Sequence, residues 1–283
     1  MTVRRAAVLG SPIAHSLSPV LHRAAYASLG LTDWRYDAVE VGDEAALRRF
    51  VEACDGSWAG LSLTMPLKRL VQPLLRRQSP QAVATGSVNT VLFTADGLVG
   101  DNTDVEGLVR ALTESGVARA ERAVVLGGGA TAASAVAALA QLGCASPRVV
   151  VRSVQRAAEV SVTGAAVGVR VRLEPWDAAP AALAEADVVV TTVPVSGSGE
   201  VVAAVDAATV TPGLLLDVTY DPWPTPAASR WTARGGRAVG GFGMLLHQAV
   251  AQVRLMTGLE PDVEAMRTAG EATLAQEGRA SGR

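Results

Sequence analysis

The stretch Val124-Val125-Leu126-Gly127-Gly128-Gly129-Ala130-Thr131-Ala132 decides the fold. An apolar run suited to a buried strand meets three glycines, and an alanine-rich helical segment, Thr131–Leu142, follows and stops at Gly143. The spacing is G-x-G-x-x-A. Gly127 permits a sharp turn, Gly129 lets the backbone approach a pyrophosphate, and Ala132 stands where a third glycine is common. The turn through Gly128 and the helix opening at Ala130 and Thr131 aim backbone N–H groups and a positive dipole end at phosphates. The next strand, Val149–Val151, ends in Arg152-Ser153, with Arg156 close behind and no acid before Glu159. A carboxylate is usual there for the ribose 2′-hydroxyl of NAD. Two guanidiniums and a hydroxyl suit a 2′-phosphate instead, because arginine offers permanent charge and fork geometry. NADP is therefore the expected cofactor, against the plainer reading of two solvated arginines in an arginine-rich chain.

Strands expected at Val167–Leu173, Val188–Val193 and Leu214–Val218 alternate with helical or loop segments, the pattern of parallel βαβ units with helices on both faces. Upstream, Ala6–Gly10 reads as a strand. Ser18-Pro19 opens a helix, with Ser18 as its N-cap and Gly30 closing it. Asp43 caps a helix reaching Cys54, Trp58–Thr64 is a strand, and Pro66 starts a short helix. Val88–Phe93 and Leu98–Gly100 flank Asp96-Gly97, a hairpin signal. Asp104–Ser115 is helical and Gly116 ends it. Two helices, Met244–Thr257 and Pro261 to about Gln276, close the chain, with a tail after Glu277 expected to fray. The fold class is α/β with two domains. An N-terminal α/β domain runs through residues 1–104, and a Rossmann-type, doubly wound nucleotide-binding sheet covers residues 105–240.

A chain of 283 residues, 49% of them hydrophobic, has room for two cores. Its net charge of −2 speaks against nucleic acid or an anionic membrane surface as partner. Arg4-Arg5 precedes only five apolar or small residues before Ser11-Pro12, short of the ~7–15 of a secretory signal. No apolar stretch approaches the ~20 residues of a spanning helix. A cytoplasmic location is expected, with Cys54 and Cys144 as free thiols. The three histidines, His15, His22 and His247, lack paired spacing, so no metal is expected and their roles read as structural. The expected partner is a small-molecule substrate, with the chain acting as a monomer or homodimer.

The chain carries 24 arginines and one lysine, Lys68. Arginine serves equally for surface charge but keeps its proton, whereas a lysine beside other charges can release one. Lys68 is thus a candidate acid/base, against chance survival. The only two asparagines, Asn89 and Asn102, each precede a threonine.

Six ordered motifs give these residues a context. Gly10-Ser11-Pro12-Ile13-Ala14-His15-Ser16-Leu17-Ser18-Pro19 with His22 comes first, then Gly60-Leu61-Ser62-Leu63-Thr64-Met65-Pro66-Leu67-Lys68. Gly86-Ser87-Val88-Asn89-Thr90 and Gly100-Asp101-Asn102-Thr103-Asp104 follow. Asp217–Thr225, containing Tyr220-Asp221-Pro222, and Gly241-Phe242-Gly243-Met244-Leu245-Leu246-His247-Gln248 complete the set. Across nearly the whole chain this resembles the shikimate dehydrogenase family. The resemblance implies reversible hydride transfer between NADPH and 3-dehydroshikimate, giving shikimate and NADP, and implies that residues 241–283 join the first domain. It puts Ser16 and Ser18 on the substrate carboxylate with Tyr220 nearby, and Thr64, Asn89 and Gln248 on ring hydroxyls. Lys68 and Asp104 would bracket the hydroxyl that becomes the carbonyl, Lys68 donating a proton to the developing alkoxide. Met244 and Leu245 would line the nicotinamide pocket, with Gly241 allowing close approach. From the residues alone, Ser18 and Asp104 also read as helix caps, Asn89 as a turn residue and Tyr220 as core.

The sequence departs from the family pattern at four places. Ser62 replaces Asn, which would shorten a substrate amide contact to a hydroxyl or water bridge. Arg23 replaces Asn after His22, Val151 replaces Asn before Arg152, and Ala130 replaces Gly. Two other readings stay open: a quinate/shikimate dehydrogenase using NAD, and a non-catalytic sensor of shikimate-like metabolites.

Overall fold

The computed structural model describes residues 3–209 and 213–280. The chain divides into two compact units. One comprises residues 1–83, 87–107 and 245–283, the other residues 84–86 and 108–244.

Among the described residues of the first unit, six strands form one sheet: β1 (Arg4–Gly10), β2 (Trp34–Glu40), β3 (Trp58–Leu63), β4 (Arg77–Gln78), β5 (Thr90–Thr94) and β6 (Gly97–Asp101), ordered β2-β1-β3-β5-β6-β4. β1 runs parallel to β2 and β3, while the β5–β6 hairpin, turning at Gly97 with φ of +114°, lies antiparallel beside β3. Trp58, Leu61 and Leu63 of β3 join Ala7, Leu9, Leu47, Leu67 and Val91 in one core. Burial of each such large side chain contributes ~1.5–3 kcal/mol.

Register explains why the sequence motifs gather. Leu9 pairs with Leu63, Ser62 with Thr90, and Thr90 with Asp101. The loops leaving β1, β3 and β6 and the loop entering β5 therefore share one edge of the sheet. Ser16 and Ser18, Thr64 and Lys68, Asn89, and Asp104 sit on those four segments.

In the second unit, β7 (Ala123–Leu126), β8 (Arg148–Val151), β9 (Arg172–Pro175), β10 (Val188–Thr191), β11 (Leu214–Asp217) and β12 (Arg237–Gly240) form an all-parallel sheet ordered β12-β11-β10-β7-β8-β9. Numbered within the unit and read from β9, this is 3-2-1-4-5-6, the dinucleotide-binding order whose ligand crevice lies where the strand order reverses, between β7 and β10. β7, β10 and β11 are buried along their whole lengths, as a parallel sheet covered on both faces requires.

Several expected elements differ. Ser18 does not cap its helix: Leu17 holds the N-cap position, in helical geometry, and Ser18 is the first helical residue of Ser18–Ser28, with Pro19 fixing the first turn. Asp43 does cap, accepting from the Ala46 N–H at 2.8 Å. The alternating run Val167–Leu173 is not a strand throughout. The helix Ala158–Ala166 ends at Gly168, at φ of +78°, with the Val169 N–H returned to the Gly164 carbonyl, and pairing starts only at Arg172. The strand β2 went unread, as did β12. The chain stays helical from Val263 to Ala280, beyond the point where fraying was expected, and residues 281–283 lie outside the described residues. No helix among the described residues is long and apolar enough to cross a membrane.

Candidate active site

In the first unit the Ser/Pro-rich turn is held by the next strand. Glu40 at the end of β2 accepts from the Ser11 hydroxyl at 2.6 Å and from the Ile13 N–H at 3.0 Å. The turn then meets the loop after β3: the Ser11 N–H donates to the Met65 carbonyl at 2.9 Å. A side chain at Gly10 would place its Cβ 2.2 Å from Thr64 Cγ2, so glycine there is what lets the two loops approach. Ser16 is half-buried, its hydroxyl accepting from the Ser18 N–H at 3.3 Å, and Ser18 is buried.

Lys68, on the one-turn helix Leu67–Leu70, forms an ion pair through Nζ with Asp104 Oδ2, their side chains only 15% and 5% exposed. Removing two charges from water is costly unless the remaining lone pairs are satisfied. The second Asp104 oxygen accordingly accepts from Asn89 Nδ2 at 2.8 Å. Both carboxylate oxygens are thus engaged by side chains, and Asp104 is itself the first residue of the helix Asp104–Glu114. Asn89 is more than a simple turn residue. Its amide nitrogen also donates to Thr103 Oγ1 at 2.9 Å and to Gln248 Oε1 at 3.4 Å, while its oxygen accepts from Thr90 Oγ1 and from the Thr103 N–H.

Ser62 lies behind this cluster. It is 4% exposed, accepts from Tyr36 Oη at 2.6 Å and donates to Gln252 Oε1 at 2.7 Å. The hydroxyl is thus engaged on both its accepting and its donating side within the protein. His22, fully buried, stacks on Tyr36 with centroids 3.8 Å apart. Its Nδ1–H donates to the Ser18 carbonyl at 2.9 Å, and burial pulls its pKa down to about 4, so the ring is neutral.

In the second unit a cavity of about 480 Å³ opens at the reversal of strand order. Gly127–Gly129, Val151, Arg152, Ser153, Arg156, Ala157, Trp176, and Thr192 to Pro194 line it. Gly127 adopts φ of +112°, and a Cβ there would sit 2.3 Å from Thr192 Oγ1. At Gly128 a Cβ would lie 2.6 Å from that of Ala157, whereas at Gly129 it would meet only open space. Gly129 caps the helix Ala130–Gln141. Its free N–H groups fit a phosphate, and Ala132 in its first turn is fully buried. Arg152 and Arg156 are exposed, and Glu200 approaches Arg152 to 3.8 Å. The residues present fit a phosphorylated dinucleotide.

Gly241, Met244 and Thr131 do not line that cavity. Gly241 is required for a different reason: a Cβ would fall 2.0 Å from the Val218 carbonyl oxygen. Met244 is buried, and Leu245 and Tyr220 are half-buried, Tyr220 in the loop after β11. That loop is organised by Asp217, which accepts from the Thr225 hydroxyl and the Thr219 N–H. Sequence reading missed Trp176 and the Thr192–Pro194 segment. The latter was within reach, because loops at the carboxyl ends of strands bordering the reversal point line such crevices. Tyr36 and Gln252 were missed as well.

Comparison with known proteins gives the same family along the chain. Residues 8–91 match the shikimate dehydrogenase substrate binding domain, residues 110–220 the shikimate/quinate 5-dehydrogenase domain, and residues 241–269 the shikimate 5′-dehydrogenase C-terminal domain. The NADP(+) shikimate dehydrogenase of Geobacter metallireducens is 35% identical over 268 residues, 92% of this chain and 93% of that protein. The crystal structure of Mycobacterium tuberculosis shikimate dehydrogenase superposes with a TM-score of 0.86 at 42% identity, covering 95% of this chain and 99% of that one. The Thermus thermophilus enzyme in complex with NADP(H) and shikimate gives a TM-score of 0.80 at 32% identity, covering 95% and 99%. With these likenesses spanning both units, the chain belongs to the shikimate dehydrogenase family.

Proposed function

We propose that this chain catalyses the reversible NADPH-dependent reduction of 3-dehydroshikimate to shikimate, a step toward aromatic amino acids. Bound NADPH supplies the hydride. The observation that carries the reading is the Lys68–Asp104 pair, a proton donor held beside a carboxylate whose other oxygen is anchored by Asn89. Lys68 Nζ donates its proton to the alkoxide that develops on the substrate oxygen, and takes it back in the oxidative direction. Asp104 holds the ammonium in place. Thr64, Asn89 and Gln248 orient ring hydroxyls, and Ser16, Ser18 and Tyr220 hold the carboxylate.

In the second unit, the Gly127–Gly129 turn and the helix that Ala130, Thr131 and Ala132 open receive the pyrophosphate. Arg152, Ser153 and Arg156 receive the 2′-phosphate, and Trp176 offers a flat wall to the adenine. Gly241, Met244 and Leu245 serve the nicotinamide end. Residues 1–104 with 241–283 act as the substrate-binding domain and residues 105–240 as the NADP domain. The free thiols of Cys54 and Cys144 suit a cytoplasmic enzyme, acting as a monomer or homodimer.

The test is absorbance of the reduced nicotinamide when the protein is mixed with shikimate or quinate and either NADP or NAD. Fastest turnover is expected with shikimate and NADP. Faster turnover of quinate with NAD would overturn the substrate and cofactor assignments, and silence with every pairing would overturn the catalytic one.

A further inference from the structure

The polar cluster behind Lys68 has a single consistent direction of hydrogen bonding, and that direction starts at Tyr36. Tyr36 is fully buried in the middle of β2, clamped by the stacked His22 ring. Its one proton goes to Ser62 Oγ at 2.6 Å. With that acceptor site filled, the Ser62 proton goes onward to Gln252 Oε1 at 2.7 Å. The Gln252 amide is thereby oriented: its nitrogen donates to the Asn89 carbonyl at 3.2 Å and to Thr90 Oγ1 at 3.1 Å. Reversing this amide would press its oxygen against the Asn89 carbonyl and leave the Ser62 proton facing an NH₂ group. Because Thr90 Oγ1 receives from Gln252, its own proton goes to Asn89 Oδ1 at 2.7 Å. That oxygen also takes the Thr103 N–H at 2.8 Å, so the Asn89 nitrogen must face Asp104 Oδ1. Along this path the hydroxyls of Tyr36, Ser62 and Thr90 each have their proton committed, and each amide is fixed by the group before it.

We propose that Tyr36 and Ser62 are positioning residues for the active site, setting through Gln252 the orientation in which Asn89 holds Asp104 and meets the substrate. The proposal deepens the function proposed above and rests on that reading. It also gives a physical meaning to serine at position 62. A side chain that both accepts and donates is what links a phenol to an amide oxygen, and the tyrosine fills the space behind it. The His22 ring that stacks on Tyr36 also donates to the Ser18 carbonyl, so the same aromatic pair touches a residue assigned to the substrate carboxylate. Burial raises the Tyr36 pKa, which keeps the phenol a donor. None of these links belongs to the nucleotide-binding unit.

The experiment compares Tyr36→Phe, Ser62→Ala and the double variant in the full-length protein, with shikimate and NADP varied separately. Each single variant is expected to raise KM for shikimate and lower kcat, with kcat/KM down about 10-fold and KM for NADP unchanged within about 2-fold. The double variant is expected to lose little beyond the worse single one, since both cut one chain. A merely structural role would lower the active fraction, reducing kcat while leaving both KM values alone, and that result would overturn the proposal. So would wild-type kinetics in Tyr36→Phe, or losses that multiply in the double variant. Should Tyr36→Phe fail to fold, Ser62→Ala cuts the next link and is read by the same criteria. A wild-type protein silent with NADP and shikimate would instead refute the proposed function itself.

Discussion

Around Lys68 the polar atoms are engaged with one another before any ligand arrives, whereas around the Gly127–Gly129 turn the protein offers open space and two exposed arginines. Asp104 has a partner on each oxygen, Asn89 is held on several sides, and the supporting hydroxyls are buried. In the proposed reading the second cavity receives the nucleotide by backbone shape and by charges that remain in water, Arg152 being 65% exposed. The difference follows from what each region is asked to do. A group that moves a proton must be held near its productive geometry, since small misplacements cost rate. A cofactor with many contacts can be gathered by glycine turns and long flexible side chains. Damage should therefore appear in kcat and in stability in the first unit, and in cofactor KM alone in the second.

The largest expected effect is that of Lys68→Ala, which should lower kcat by roughly 10² or more with a smaller change in KM for shikimate, measured by nicotinamide absorbance. Near-normal turnover would remove Lys68 from the chemistry. Next comes the acid limb of stability. The His22 pKa falls from 6.5 in the unfolded chain to about 4 in the fold, so the unfolded state takes up a proton first as pH drops. Its contribution is intact above about pH 6.5 and declines toward pH 4, by on the order of 3 kcal/mol. Urea midpoints across this range should fall less steeply for His22→Gln, and parallel profiles would contradict the linkage. In the second unit, Arg152→Ala combined with Arg156→Ala should raise KM for NADP by about 10- to 100-fold and leave KM for shikimate unchanged. An unchanged preference for NADP over NAD would show that these arginines are only solvated. The smallest effect belongs to Glu200, which approaches Arg152. Glu200→Gln should lower KM for NADP by about 2-fold at low salt, fading as salt screens the pair.

The same contrast governs what was legible in the sequence. The nucleotide turn is read from adjacent residues, because glycine spacing, strand and helix are local. Lys68 stood out because a lone lysine among arginines is visible in composition. The support behind it was not visible, since Tyr36, Ser62, Gln252 and Asn89 are joined only by sheet register and the packing of the helix Phe242–Thr257. Two signals existed. Trp34, Tyr36 and Ala38 alternate with polar neighbours as a strand should, and Gln252 follows Gln248 by four residues, which puts both on one helix face. Conversely, the alternating valines of 167–171 read as a strand but serve a helix terminus, where Gly168 reverses the chain. Ser18 read as a cap because its hydroxyl and Pro19 fit that pattern, yet the helix begins one residue earlier than the pattern requires.

In the proposed reaction Lys68 exchanges a proton rather than merely supplying charge beside Asp104. The decisive variant is Lys68→Arg, because arginine can keep the ion pair and the positive charge but holds its proton at every accessible pH. Turnover of shikimate with NADP should fall for Lys68→Arg to within about 10-fold of the Lys68→Ala level. Turnover within about 3-fold of wild type would mean that charge alone suffices, and would contradict a proton-transferring role for Lys68.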